Sequence, residues 1–227
     1  MMHKIGVLIY ESSIGMAVLC LLFVSVEPTI SFGAVTSQFT ISQTVTSELS
    51  IVTPASNVIM SPSLGGLTGG TSDGWTQIVV NTANSTGYNM TIAASSSLGM
   101  IGTASSTNYI PAYVPASGGI PDYTFSTPPN AARFGYTVNA TTTSDVVQLF
   151  RNNGATCNQS GGSPNGANCW LNASTTAVQI INRTTPTPST GATTTLTFQV
   201  QINPNPSPVI PNDTYVATTT LTATTNP

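Results

Sequence analysis

The sequence predicts an all-β sandwich with long loops, and three observations predict it. Apolar and polar residues alternate in several short runs, which is the period of a half-buried strand. Clusters of Gly, Pro, Asn and Asp separate those runs, as turns require. No stretch carries the apolar period of an amphipathic helix over a useful length. Of the 227 residues only 5% are charged, against about 25% in ordinary soluble domains. Thr, Ser and Asn supply the polarity instead. With hydrophobic residues at 40%, the chain has the means to build a core, unlike a disordered one.

The first 34 residues read as a signal peptide that is removed. Lys4 precedes an apolar stretch from Ile14 to Val26, and Glu27 and Pro28 end it. Small residues follow around Ser31-Phe32-Gly33-Ala34, where cleavage after Gly33 or Ala34 is expected. Glu11 within the longer run Ile5–Val26 argues against a retained membrane anchor, since a carboxylate is costly at that depth. Downstream no run is apolar long enough to span a membrane. The protein is therefore expected to be secreted or held at the cell surface, with residues 35–227 as one domain.

The strongest strand signal comes first. From Phe39 to Ile51 the odd positions carry Phe39, Ile41, Val45, Leu49 and Ile51, with Gln43 and Ser47 between them. The even positions are Thr, Ser and Glu, so one face is apolar and the other wet. A Gly-rich connection at 65–70 leads to Asp73-Gly74, which reads as a turn. A hairpin is then expected, with Ile78 and Val80 in phase on one arm and Tyr88, Met90 and Ile92 on the other. Residues 103–132 form a long excursion with Tyr109, Tyr113, Tyr123 and Phe125 as aromatic anchors. Phe134–Val138 reads as a short strand. Asp145–Phe150 is the one candidate helical turn, capped by Ser144 or Asp145. Val178–Ile181 is a further β-type run. Thr185–Gly191 is a turn or linker. Leu196, Phe198, Val200 and Ile202 alternate cleanly, and Tyr215–Ala223 alternates more weakly. Four prolines fill the loop between these last two strands, where no ladder N–H is lost.

Cys157 and Cys169 bracket a loop rich in Gly, Asn and Ser. In an exported chain such a pair reads as a disulfide, and the residues after the leader offer no His or further Cys to complete a metal site. Closing a loop this short is expected to contribute about 3 kcal/mol.

Catalysis has little to work with. After residue 34 there is no His for a Ser-His-Asp or Cys-His arrangement, and no Lys for a Schiff base or phosphate loop. The acids Glu48, Asp73, Asp122, Asp145 and Asp213 are far apart in sequence, so a carboxylate-pair hydrolase requires the fold to bring two together. Three arginines, at 133, 151 and 183, are too few to hold nucleic acid by counterion release. The expected protein is not an enzyme and takes no cofactor or metal. Seven Asn-x-Ser/Thr sites are acceptors for N-glycans wherever the host makes them.

The run Pro208–Ala223, in which a turn and Tyr215 lead into the final strand, resembles the last hairpin of bacterial immunoglobulin-like surface and pilin-type domains. Val79–Ile92, and the pattern from Asn153-Gly154 through Cys157 to Cys169-Trp170, are similar to uncharacterised exported bacterial β-sandwich proteins. The resemblance implies an immunoglobulin-like or jelly-roll sandwich at the cell surface and carries no active site. The spacing around Tyr215 suits a tyrosine corner.

Two functions follow as expectations. In the first, the chain is a structural subunit of a filament or coat, and Phe39, Ile41, Val45, Leu49 and Ile51 form a strand donated to a neighbouring copy. In the second, it is an adhesin whose partners are cell-surface glycans, with Trp75, Trp170 and the tyrosines of 109–136 as a stacking platform. The bland alternatives are that the segment is the chain's own first strand and that the aromatics are core anchors.

Overall fold

The computed structural model describes residues 37–227, so the expected signal peptide lies outside the described residues. Val45–Pro227 forms a compact unit. It holds eleven strands: β1 (Leu49–Thr53), β2 (Gly70–Thr82), β3 (Tyr88–Ala94), β4 (Gly99–Gly102), β5 (Tyr109–Pro111), β6 (Ala132–Ala140), β7 (Leu171–Asn172), β8 (Val178–Arg183), β9 (Ala192–Ile202), β10 (Tyr215–Val216) and β11 (Thr219–Thr225). Every pairing between them is antiparallel.

The strands stack as a sandwich. One layer has the order β1-β2-β9-β6-β7. The other is made of two short sheets, β11-β3-β8 and β10-β4-β5. These run on from each other, because β3 leads to β4 and β10 to β11 through a few residues, and Ser95 N–H donates to Thr218 O across the break at 2.9 Å. The core lies between the layers. In β9 the residues Ala192, Leu196, Phe198, Val200 and Ile202 are buried while each neighbour is half-exposed, a clean period of two. Ile78 and Val80 of β2 and Phe134, Tyr136 and Val138 of β6 join them. Tyr88, Met90 and Ile92 of β3 and Ile180 and Ile181 of β8 join the same core.

A second, smaller core covers the outer face of β6. There Gly135 and Thr137 are buried although they point away from the main core. The 103–132 excursion and the disulfide loop fold over them. Phe125 packs on Tyr113 at 4.6 Å and edge-on against Trp170 at 5.2 Å between ring centroids. Gly135 has to be glycine, since a Cβ would lie 3.0 Å from the Tyr113 Cβ and 2.9 Å from Leu171 O. Thr137 Oγ1 donates to the carbonyl of Asn168.

Four expectations are corrected. The strand predicted over Phe39–Ile51 is confined to Leu49–Thr53, and residues 37–48 carry no strand. The reason is the partner: Leu49 sits opposite Thr82, the last residue of β2, so the ladder ends there. Asp73-Gly74 is not a turn but lies inside β2, paired with Gln199 and Phe198. Gly74 is small because Val58 packs against it, and a Cβ would fall 2.4 Å from Val58 Cγ1. β2 and β3 are not a hairpin; they belong to different layers. Both have a single apolar face, and the link at 83–87 carries the chain across the core so that those faces meet. For the same reason β9 and the final strand lie in different layers, and that strand is broken at Ala217–Thr218 into β10 and β11.

The candidate helical turn is a pair of 3₁₀ turns, Thr143–Asp145 and Gln148–Phe150, with no side-chain cap. Asp145 is turned inward instead. Its Oδ2 accepts a hydrogen bond from Arg183 Nη1 at 2.7 Å, with both side chains 10% exposed.

Candidate functional site

On one side of the sandwich β1 is the edge of its layer and β10–β11 the edge of the facing one, and β1 and β11 approach each other there. Between them lies a cleft of about 460 Å³. Its floor is the main core itself, through Ile78, Phe134, Leu196 and Phe198. One wall is Ile51 and the segment 54–60, and the other is Tyr215–Thr219 with Leu221. A second cleft of about 660 Å³ continues past Val58, Met60 and Met100 along Tyr215 and Val216 towards Ile202 and Ile210.

Burial along this seam differs from that elsewhere. Inward-facing residues of β9 are buried throughout, whereas Thr219, Leu221 and Ala223 of β11 stay half-exposed and Ile51 is 42% exposed. Tyr215 anchors the wall from above: its hydroxyl donates to Pro211 O at 2.8 Å, four residues upstream, the bond expected of a tyrosine corner. Asp213 fixes the adjoining turn by accepting from Ala104 N–H at 3.0 Å and Thr214 N–H at 2.7 Å. Those backbone donors, Ala104 first, hold its carboxyl below the usual carboxylate range.

Among the described residues the outer backbone edge of β11 is also unpaired. Thr218 O accepts from Ser95 N–H, and Asn226 N–H donates to Gly87 O. In an antiparallel ladder alternate residues bond to the same neighbour, so Thr220, Thr222 and Thr224 face β3. Thr219, Leu221, Ala223 and Thr225 then turn their N–H and C=O groups outward. No described strand pairs with that outer edge. Sequence reasoning missed this site, because Leu221 and Ala223 read as ordinary interior positions of a last strand.

The predicted donor residues divide in two. Leu49 and Ile51 belong to β1 and are paired opposite Thr82 and Val80 of their own chain. Phe39, Ile41 and Val45 lie in no strand and are 82%, 85% and 82% exposed.

The other predicted groups lie apart from the seam. Cys157 and Cys169 form the disulfide, with Cα atoms 5.6 Å apart, and both are buried. Trp170 and Tyr113 are buried in the outer cluster, so they act as anchors and not as a sugar platform. Trp170 Nε1 donates to Ala167 O at 3.0 Å. The Tyr113 hydroxyl donates to Asp122 Oδ2 at 2.7 Å, and burial with that carboxylate pushes its pKa up. Trp75 is exposed on the outer face of β2. The five acids are engaged separately: Asp145 with Arg183, Asp122 with Tyr113 and the Ala116 N–H, and Asp213 at its turn, while Asp73 and Glu48 sit on β2 and just before β1. Among the described residues no cluster of three His, Cys, Asp or Glu side chains could hold a metal.

No protein-family model and no curated protein matches this chain.

Proposed function

We propose that the protein is a non-enzymatic, exported structural protein of the cell surface that assembles with copies of itself into a filament or coat. The observation that carries this reading is the exposure of Phe39, Ile41 and Val45 in a segment with strand periodicity and, among the described residues, no strand partner. Burying a side chain of this kind is worth about 1.5–3 kcal/mol. Three of them in one short stretch, with polar residues between, favour pairing with another β edge over remaining in water. The buried disulfide fits an oxidising compartment outside the cytosol. Glycan binding has less to stand on, since Trp170, Tyr113 and Tyr136 are buried and leave Trp75 and Tyr109 as the exposed aromatics of that set.

The test compares the exported protein with a variant carrying Phe39→Ser, Ile41→Ser and Val45→Ser, by light scattering after size exclusion. The expected result is multimers for the native chain and a monomer with unchanged β circular dichroism for the variant. A native chain that is monomeric at every concentration removes the proposal.

A further inference from the structure

We infer that Asn165 is a site of spontaneous covalent modification: its side-chain amide converts to an acid through a cyclic imide, and the conversion loosens the disulfide loop. This goes beyond the self-assembly reading and does not depend on it.

The chemistry needs an asparagine whose following backbone nitrogen can reach the side-chain carbonyl, and glycine, with no Cβ, leaves that nitrogen least hindered. Asn-Gly occurs twice in the sequence, at Asn153-Gly154 just before the disulfide loop and at Asn165-Gly166 within it. Both asparagines are exposed, so water reaches them. Their electrophilic carbons are alike. Asn165 Oδ1 accepts from Ala167 N–H at 2.9 Å, which folds the side chain forward over the Gly166 peptide. Asn153 Oδ1 accepts from Ala155 N–H at 3.1 Å and Thr156 N–H at 2.9 Å. In each case the donors stabilise the negative charge that gathers on Oδ1 under attack. The nucleophiles differ. Gly154 N–H donates to Asn152 Oδ1 at 3.1 Å, and Asn152 is buried and tied through Nδ2 to Ser163 O at 2.9 Å. That bond must break before the Gly154 nitrogen can give up its proton. Among the described residues Gly166 N–H has no acceptor. One hydrogen bond lost on the way to attack corresponds to about tenfold in rate.

The steps balance with water alone. The Gly166 nitrogen bonds to Asn165 Cγ, water carries its proton to Nδ2, and the Cγ–Nδ2 bond breaks to release ammonia. Water then opens the ring. Cleavage of the new N–Cγ bond gives aspartate with the original backbone, and cleavage of the bond to the main-chain carbonyl gives isoaspartate. The consequence follows from the contacts of Asn165. Its Nδ2 donates to Asn168 Oδ1 at 2.7 Å, and Asn168 Nδ2 donates to Tyr123 O at 2.9 Å. A carboxylate at 165 has no proton to give and faces Asn168 Oδ1 as a second acceptor. It is also the one charge between Cys157 and Cys169. Turning the Asn168 amide to meet it takes Nδ2 away from Tyr123, so the 103–132 excursion loses that tie to the loop.

The experiment holds the exported, disulfide-bonded protein at mildly alkaline pH, samples it over time, and maps acid-digested peptides by mass spectrometry. Asn165 should gain the mass of an amide-to-acid conversion, with isoaspartate among the products, at least tenfold faster than Asn153. The same chain reduced and unfolded in urea should convert both at similar rates, because the Asn152 bond is gone. Equal rates in the folded protein, faster conversion at Asn153, or an unmodified Asn165 overturns the inference. A second measurement reads the consequence. Cys169 N–H donates to Tyr123 O at 3.4 Å, and its hydrogen exchange should rise severalfold both in aged native protein and in the Asn165→Asp variant. Unchanged exchange in both would show that the acid forms without loosening the loop, and would overturn that half of the inference.

Discussion

Arg183 is a buried charge with several hydrogen-bond partners. Besides Asp145 it donates to Thr185 O at 3.0 Å and Pro186 O at 2.8 Å, so its guanidinium ties β8 to the 143–145 turn and to the linker before β9. Removing one member of a buried ion pair leaves the other charged and without compensation, which costs about 3–5 kcal/mol. Arg183→Met should lower the urea unfolding free energy by that amount. Arg183→Met combined with Asp145→Leu should recover most of it, because two apolar groups leave no stranded charge. Equal losses in the single and double variants would mean that the backbone contacts of Arg183, and not the pair, carry the effect. Tyr88 lies at the same place and is buried. Burial first, and the Asp145 charge second, push its pKa up to about 12, and burial also raises that of Tyr136. A phenol whose folded pKa is raised contributes stability that is complete below the ordinary value near 10 and is lost as pH climbs towards about 12. Unfolding is therefore expected in that window, with tyrosinate absorbance and loss of β circular dichroism sharing one midpoint. Tyrosinate absorbance that rises fully while the β signal persists would contradict it.

At the scale of elements, the disulfide and the outer aromatic cluster act together. The loop between Cys157 and Cys169 has little apolar surface, and it is held by the bridge and by the Trp170–Phe125–Tyr113 contacts. Cys157→Ser with Cys169→Ser should cost about 3 kcal/mol by the loop-closure argument, read as a shift of the denaturation midpoint. An unshifted midpoint would show that the aromatic contacts alone close the loop. Elements were legible where the alternation is complete. β9 shows it at every position, so its extent could be read from Leu196 to Ile202 and missed only the Thr-rich start. β2 was legible only from Trp75 on, because Asp73-Gly74 has the composition of a turn and serves instead to let Val58 approach. The Asp145 region had the composition of a capped turn, but its carboxylate found Arg183, 38 residues away, a pairing that no local pattern announces.

For the whole molecule, which layer a strand joins depends on partners distant in sequence. The β2–β3 connection therefore looked like a hairpin and is a crossing between layers. The all-β class was open to reading because it needs only local period and turn chemistry. The seam was not, because it is defined by the lack of a neighbour beside β11. The residues before β1 had the right pattern for a strand, but β2 ends at Thr82 and leaves them without a strand partner among the described residues. Self-assembly through the exposed residues Phe39, Ile41 and Val45 is what the proposed function depends on. Electron cryomicroscopy of the exported, assembled protein tests it most directly. The expected map shows Phe39, Ile41 and Val45 buried against a neighbouring subunit. An assembly in which those three side chains remain in solvent would contradict it.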